Sequence, residues 1–268
     1  MNPIIVFTKP WQCSLSELAE KLVRLGVDGL ELPVRPGYPV NPENMAQALP
    51  QAVKTLESYG LRIYSVAGST TREMVSACGD AGIPLIRVCE RIDMKIGYQA
   101  SVEKIRRTYA ALVPALEKHM VTIGLQNHCG FFIGSAIGSL DVMREFEPKH
   151  VGIVLDVAHC ALAGEPEVMA IDIAWPRLCM LNLKNVVRKQ VGIDADGAAS
   201  WSIYWTTGEE GYASWGGTIA DLRSRGFTGP ICLCAEYSNP AGKGDLAGDA
   251  VEPLLRQDIA LVNRLFAR

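Results

Sequence analysis

Four short apolar runs in this chain end in groups that could move protons or hold a cation. Residues 123–125 run into Gln126, Asn127 and His128; 151–155 into Asp156, with His159 just beyond; 178–180 toward Asn182, Lys184 and Asn185; and 231–235 into Glu236. Carboxylates take and return protons, and amide and carboxylate oxygens coordinate hard cations. Imidazole, ammonium and guanidinium groups stabilise a developing oxyanion. Short apolar runs preceded by turn signals read as buried parallel strands, and the carboxyl ends of such strands carry the chemistry of α/β enzymes. The four ends are therefore expected to meet in one pocket.

The rest of the chain supplies the scaffold that such a pocket needs. A strand at 4–7 precedes a capping box, Ser14 to Glu17, which opens a helix with Leu18, Leu22 and Leu25 on one face and Gly26 as its stop. A strand over 29–32 contains Glu31, a helix spans 44–59, and a strand spans 62–66. The same alternation continues with helix 70–78, strand 85–88, helix 101–119, the strand into Gln126, helix 140–146, and the strands ending at Asp156 and Asn182. The stretch 186–215, with Arg188, Trp201, Tyr204, Trp205 and Tyr212, reads as a long ordered loop. Helix 217–225, strand 231–234 and helix 251–266 complete the pattern. Eight strand–helix alternations without a break in composition predict one domain over 1–268, a single (β/α)8 TIM barrel. In it Glu31 joins the other strand ends at the mouth. His119 falls in the last turn of a helix, where a cation caps the dipole, and His150 falls at the opposite end of the sheet.

Composition narrows the function classes. A formal charge of -3 and the lack of any Lys/Arg-rich run argue against nucleic acid as partner. No apolar segment approaches membrane-span length, and the start has no signal-peptide pattern, so a cytoplasmic protein without membrane contact is expected. Neither a GxGxxG turn nor a Walker loop is present, which predicts no nucleotide cofactor. Most of the 8 cysteines sit in or beside apolar runs and read as buried reduced thiols, Cys232 and Cys234 on one face of a strand.

At the strand ends and their flanks, the segments GVDGLEL, GLRIYSVAG, IGLQNHCG, VGIVLDVAHC, LCMLNLKNV and GEEGYASWGGTIADLRSRGFTGPICLCAEY together resemble the sugar-phosphate isomerase/epimerase superfamily. These are the xylose isomerase-like barrels, which include ketose 3-epimerases, hydroxypyruvate isomerases and inosose dehydratases. The resemblance covers most of the chain. It implies a metal site of Glu, Asp, His and Glu from strands five to eight, which falls here on Gln126, Asp156, Asn182 and Glu236. Two of the four are thus amides, and an aspartate that often follows the strand-seven His-x-Lys is Asn185. The family's substrate-contacting His corresponds to His159 and its Arg to Arg188.

In the resembling enzymes a divalent metal grips two oxygens of a ketose while two glutamates exchange a proton through an enediolate. Gln126 cannot take a proton, which leaves Glu236 in that role. The set Gln126, Asp156, Asn182 and Glu236 is all oxygen and suits Mg2+ or Mn2+ better than Zn2+, unless His128 or His159 restores nitrogen ligation. The expected function is an isomerase, epimerase or dehydratase acting on a small ketose, polyol or 2-oxo acid, a carbohydrate-like substrate. Glu236, Gln126 and His159 would sit at the reacting centre, and Glu31, His128, Lys184, Arg188 and Trp205 around the substrate. The competing expectation is a catalytically silent barrel that binds a sugar-like ligand or a partner. Apurinic endonucleases share the barrel but need many more His ligands than the 4 His present. The aromatic stretch 201–215 could stack on a sugar or line a subunit contact, and relatives of this kind form homodimers or homotetramers.

Overall fold

Residue runs apolar at every position, such as IIVF and GIVL, have no solvent-facing side, so they can be stable only where both faces of a sheet are covered. The computed structural model, which describes residues 2–240 and 244–267, satisfies that condition with a closed barrel. The strands are β1 (Ile4–Phe7), β2 (Gly29–Pro33), β3 (Arg62–Ala67), β4 (Leu85–Val88), β5 (Thr122–Gln126), β6 (Val151–Asp156), β7 (Leu178–Leu183), β8 (Asn185–Ile193), β9 (Ala199–Thr206) and β10 (Ile231–Leu233). All except β8 and β9 form the barrel, in the order β1-β10-β7-β6-β5-β4-β3-β2, and β1 closes it by pairing in parallel with both β10 and β2.

Side chains alternate across each strand and divide the core into two layers. Ile5, Phe7, Ala67, Leu85, Val154, Met180 and Cys232 fill the interior of the barrel. A larger cluster packs the outer strand faces against the helices α1 (Leu15–Leu25), α2 (Met45–Glu57), α3 (Arg72–Asp80), α4 (Tyr98–His119), α5 (Ala136–Met143), α6 (Val157–Ala163), α7 (Glu167–Ala174), α8 (Trp215–Ser224) and α9 (Glu252–Ala267). The capping box at α1 forms as expected: Ser14 Oγ accepts the Glu17 N–H, Glu17 reaches back to the Ser14 N–H, and Gly26 ends the helix at φ 72°. Gly29 permits a close approach, because a Cβ there would stand 2.1 Å from the Arg62 carbonyl oxygen across the β2–β3 pair.

Two elements differ from the sequence reading. The stretch 186–215 is largely the antiparallel hairpin β8–β9, with Val186 paired to Trp205 and Arg188 to Ile203. Its alternation of large and polar residues is a strand signal that the aromatic content obscured. Helices α6 and α7 are short, and their apolar composition carries little 3.6-residue periodicity to reveal them. His119 Nδ1 lies 3.5 Å from Asp80 at the end of α4, and His150 is buried before β6, both away from the mouth. All 8 cysteines are free. No helix among the described residues is long and apolar enough to cross a membrane.

Candidate active site

The carboxyl ends of the barrel strands surround a cavity of about 270 Å3. Phe7 and Lys9 reach it from β1, Arg35 from β2, Arg87 and Cys89 from β4, Gln126 and His128 from β5. Asn182 and Lys184 enter from β7, Cys234 and Glu236 from β10, and Phe132 closes one side. Among the described residues Glu236 is the one carboxylate in this lining. Ala235, immediately before it, holds φ 51°, a left-handed conformation unusual for alanine, at the turn that leads into Glu236.

The residues predicted for the metal centre come together, but most of their oxygens already have partners. Gln126 Nε2 donates to Asp156 Oδ2 at 2.8 Å, and Gln126 Oε1 accepts the Cys89 thiol at 3.3 Å. Asp156 Oδ1 caps α6, accepting the N–H groups of Ala158 and His159, so the carboxylate serves the helix as well as the site. Glu236 is clamped by two ammonium groups, Lys184 on Oε2 at 2.8 Å and Lys9 on Oε1. Asn182 Oδ1, buried, has no hydrogen-bond donor among the described residues. Two of the four members are neutral amides and the Lys184 ammonium already pairs with Glu236, so this set offers a divalent cation less negative charge than four carboxylates would. A second group that could hold an ion is His128, Cys129 and His159, whose ligand atoms lie within 4.8 Å of one another. A nitrogen and thiolate set of this kind suits a softer ion than magnesium.

Lys184 is the electrostatic hub. Burial alone would lower its ammonium, but Glu236 and Asp156 around it push it well above the usual lysine range. Burial alone would likewise raise the Glu236 carboxyl, yet Lys184 and Lys9 hold it far below the usual carboxylate range. Lys184 Nζ also lies 3.1 Å from His159 Nε2 and 3.8 Å from the centroid of the Trp205 ring. His159 is fully buried, and burial together with the Lys184 charge drives its pKa well below the normal imidazole range. Its other nitrogen, Nδ1, accepts the Cys129 N–H at 3.2 Å. A neutral imidazole has one acceptor nitrogen, so the Cys129 N–H and the Lys184 ammonium compete for it. Asp156 behaves oppositely to Glu236: burial pushes its carboxyl up against the pull of Lys184.

Several predicted contacts are displaced from the cavity wall. Glu31 is fully buried and does not line the mouth; it holds Arg87 through two Nε contacts at 3.0 and 3.2 Å plus the Arg87 Nη2 contact, and it accepts the Ser65 hydroxyl at 2.9 Å. Its role is to place Arg87. His159 stands behind Lys184, and Trp205 covers Lys184 from β9 while lining a neighbouring cleft with Tyr204, Ser238 and Asp245. Arg188, expected at the mouth, lies farther out along the hairpin, on the face it shares with Trp205. Each step of two residues along a strand carries a side chain about 7 Å outward, and Arg188 reaches a cleft of about 610 Å3 with Trp201, Tyr212 and residues 161–164. That cleft is larger than the mouth cavity, but it contains no carboxylate or imidazole and so has no proton-transfer set.

Phe7, Lys9, Arg35 and Arg87 were not anticipated. The strand-end rule that found Glu236 applies equally to Lys9 after β1 and Arg35 after β2, and an arginine inside the otherwise apolar β4 sequence LIRV was a visible signal for Arg87. Asn185 accounts for one departure from the family pattern. Its Nδ2 donates to the Gly208 and Ala213 carbonyls, and its Oδ1 accepts the Val186 and Ala213 N–H groups, so the amide fastens the hairpin to the barrel with both of its ends.

A closed parallel barrel with its polar groups gathered at the carboxyl ends of the strands defines the structural class. The family described as xylose isomerase-like TIM barrel matches residues 19–262, and the chain belongs to it. Among solved structures, an L-ribulose 3-epimerase is similar with a TM-score of 0.74 at 13% identity, covering 99% of this chain and 94% of the other. A D-psicose 3-epimerase from Clostridium cellulolyticum H10, solved with D-tagatose, gives 0.68 at 15% identity over 99% and 98%. A 3-keto-D-glucoside 4-epimerase from E. coli gives 0.70 at 11% identity over 98% and 100%. No curated protein sequence matches the chain significantly.

Proposed function

We propose that this barrel moves a proton on a small carbonyl-bearing polyol, ketose or 2-oxo acid, with Glu236 as the base and Lys184 as the oxyanion-stabilising cation. The observation that carries this reading is the Glu236–Lys184 pair at 2.8 Å, reaching into a cavity whose remaining lining is amide, thiol, aromatic and cationic. The family and the sugar epimerases among its structural neighbours support the substrate class.

An incoming substrate oxygen competes with Glu236 for the Lys9 and Lys184 ammonium groups. As it takes over their hydrogen bonds, Glu236 is released to accept the proton from the carbon next to the carbonyl. Negative charge then grows on the substrate oxygen beside Lys184, while the unpartnered Asn182 Oδ1 accepts a substrate hydroxyl. An ion held by His128, Cys129 and His159 would supply further polarisation of a substrate oxygen. Because Gln126 occupies the position of a second carboxylate, the proton leaves and returns on one face. That arrangement favours transfer between adjacent carbons or loss of water over inversion by two opposed bases. A homodimer or homotetramer is the expected assembly, with the exposed aromatics Trp201 of β9 and Tyr212 beyond it as contact candidates.

Deuterium incorporation from D2O into a panel of ketoses and 2-oxo acids, followed by proton NMR, tests the reading. Glu236→Gln should abolish incorporation while leaving the fold intact by circular dichroism. Unchanged incorporation in that variant removes the mechanism. A wild-type protein that binds panel members yet exchanges none of them is the silent barrel, a reading favoured by the neutralisation of Glu236 between Lys9 and Lys184.

A further inference from the structure

One cation at the mouth, Arg35, is left unpaired by the acids around it. Lys9, Arg35, Arg87 and Lys184 line it, against the single carboxylate of Glu236. Glu31 neutralises Arg87 from behind, and Glu236 is shared by two lysines. Asp156, buried behind the wall, and Asp245 act on the lysines, Asp156 on Lys184 and Asp245 on both Lys9 and Lys184. The guanidinium of Arg35 has no acidic partner among the described residues. It sits 5.6 Å from the centroid of the Phe7 ring, and Arg87 stands 4.4 Å from the same centroid.

This arrangement is built into the fold and is not a chance of flexible surface side chains. The Arg35 N–H donates to the Val40 carbonyl at 3.3 Å, closing the loop that follows β2. Within that loop the Tyr38 hydroxyl donates to the Lys9 carbonyl at 2.6 Å, which binds the Lys9 and Arg35 segments to each other across the top of β1. Arg35 itself is half-buried, and its guanidinium lines the cavity without an acid beside it. A neutral ketose would leave that guanidinium unpaired, whereas an oxyanion would pair with it.

We infer that the mouth recognises an anionic small molecule, a polyhydroxy compound bearing a carboxylate or phosphate, whose oxyanion is held by Arg35 and Lys9 while its hydroxyl-bearing carbons face Asn182 and Glu236. Planar guanidinium matches either oxyanion in a two-bonded fashion, which is why the shared chemistry and not one acid is specified. A cavity of about 270 Å3 has room for roughly nine waters at liquid density, the size of a three- to six-carbon acid. The inference refines the substrate class of the proton-transfer reading and rests on that reading for the ligand's orientation alone.

Calorimetric titration of the intact protein with D-gluconate and with D-glucitol isolates the charge, since the two differ in a carboxylate against a hydroxymethyl group. Gluconate should bind about tenfold or more tightly than glucitol, and inorganic phosphate should compete with it. Arg35→Gln should bring the two affinities to within about threefold, and Arg35→Lys should restore part of the preference. Equal affinities in the wild-type protein, a full preference surviving in Arg35→Gln, or binding of neither compound at about 10 mM overturns the inference. The two readings fail separately. A gluconate preference that depends on Arg35, with no deuterium exchange in any compound, retains the anion site and removes the chemistry. Exchange into a neutral ketose without any gluconate preference does the reverse.

Discussion

Replacing Glu31 by Gln tests the claim that this acid is a structural counter-charge and not a substrate ligand. Glu31 is 0% exposed and Arg87 6%, and the carboxylate meets the guanidinium through three contacts while also accepting the Ser65 hydroxyl. Removing one charge from a buried pair leaves the other without compensation, which costs about 3–5 kcal/mol. For a chain of this size that corresponds to a fall in melting temperature of roughly 6–20 °C. Arg87→Met should cost at least as much, because the orphaned Glu31 has no path to solvent, while Arg87 at least borders the mouth cavity. The double variant Glu31→Gln with Arg87→Met, which removes both charges, should recover most of the loss. Urea denaturation of the four proteins, followed by tryptophan fluorescence and circular dichroism, gives the cycle. A loss below about 1 kcal/mol in Glu31→Gln, or a double variant no more stable than either single one, would refute the buried-pair account.

Two further outcomes follow from contacts away from the mouth. Asp258, on α9, accepts the Gly208 N–H and the Tyr237 hydroxyl, and burial pushes its carboxyl up to about 6 despite those bonds. Native protein therefore holds this proton to higher pH than unfolded chain does: the associated stability is complete below about pH 4 and is lost as pH rises through about 6, a change of ~3 kcal/mol. The stability difference between wild type and Asp258→Asn, measured by denaturant titration across that window, should follow this slope and then stay level; a difference independent of pH contradicts it. Asn185→Asp replaces two amide donors facing the Gly208 and Ala213 carbonyls with a carboxylate oxygen, so it should destabilise the hairpin junction by about 2–4 kcal/mol and increase protease cutting within β8–β9. A variant as resistant to proteolysis as wild type would show that the amide's donors are dispensable there.

The barrel itself is readable from the residue order. Apolar runs four to six residues long, separated by amphipathic stretches with their own caps and glycine stops, leave a parallel sheet covered on both faces as the consistent solution, and the carboxyl ends of β5, β6, β7 and β10 then share one rim by necessity. Those rules located Gln126, Asn182, Lys184 and Glu236, because strand position alone decides which rim a residue occupies. They could not say which of the rim groups face the cavity and which spend their hydrogen bonds on each other. Asp156 divides itself between a helix cap and Gln126; Glu31 is consumed by Arg87, 56 residues away in sequence; Glu236 is held by lysines from β1 and β7. Arg188 lies outside the site because an extended strand, unlike a folded-back loop, carries it outward beyond Val186 and Trp205. Charge pairing at the mouth depends on distances between strands that are remote in sequence and carry no local signal of one another. Types and spacing along the chain thus determined where polar groups would gather, and only packing in three dimensions decided that an ammonium group, Lys184, would pair with Glu236 at that rim.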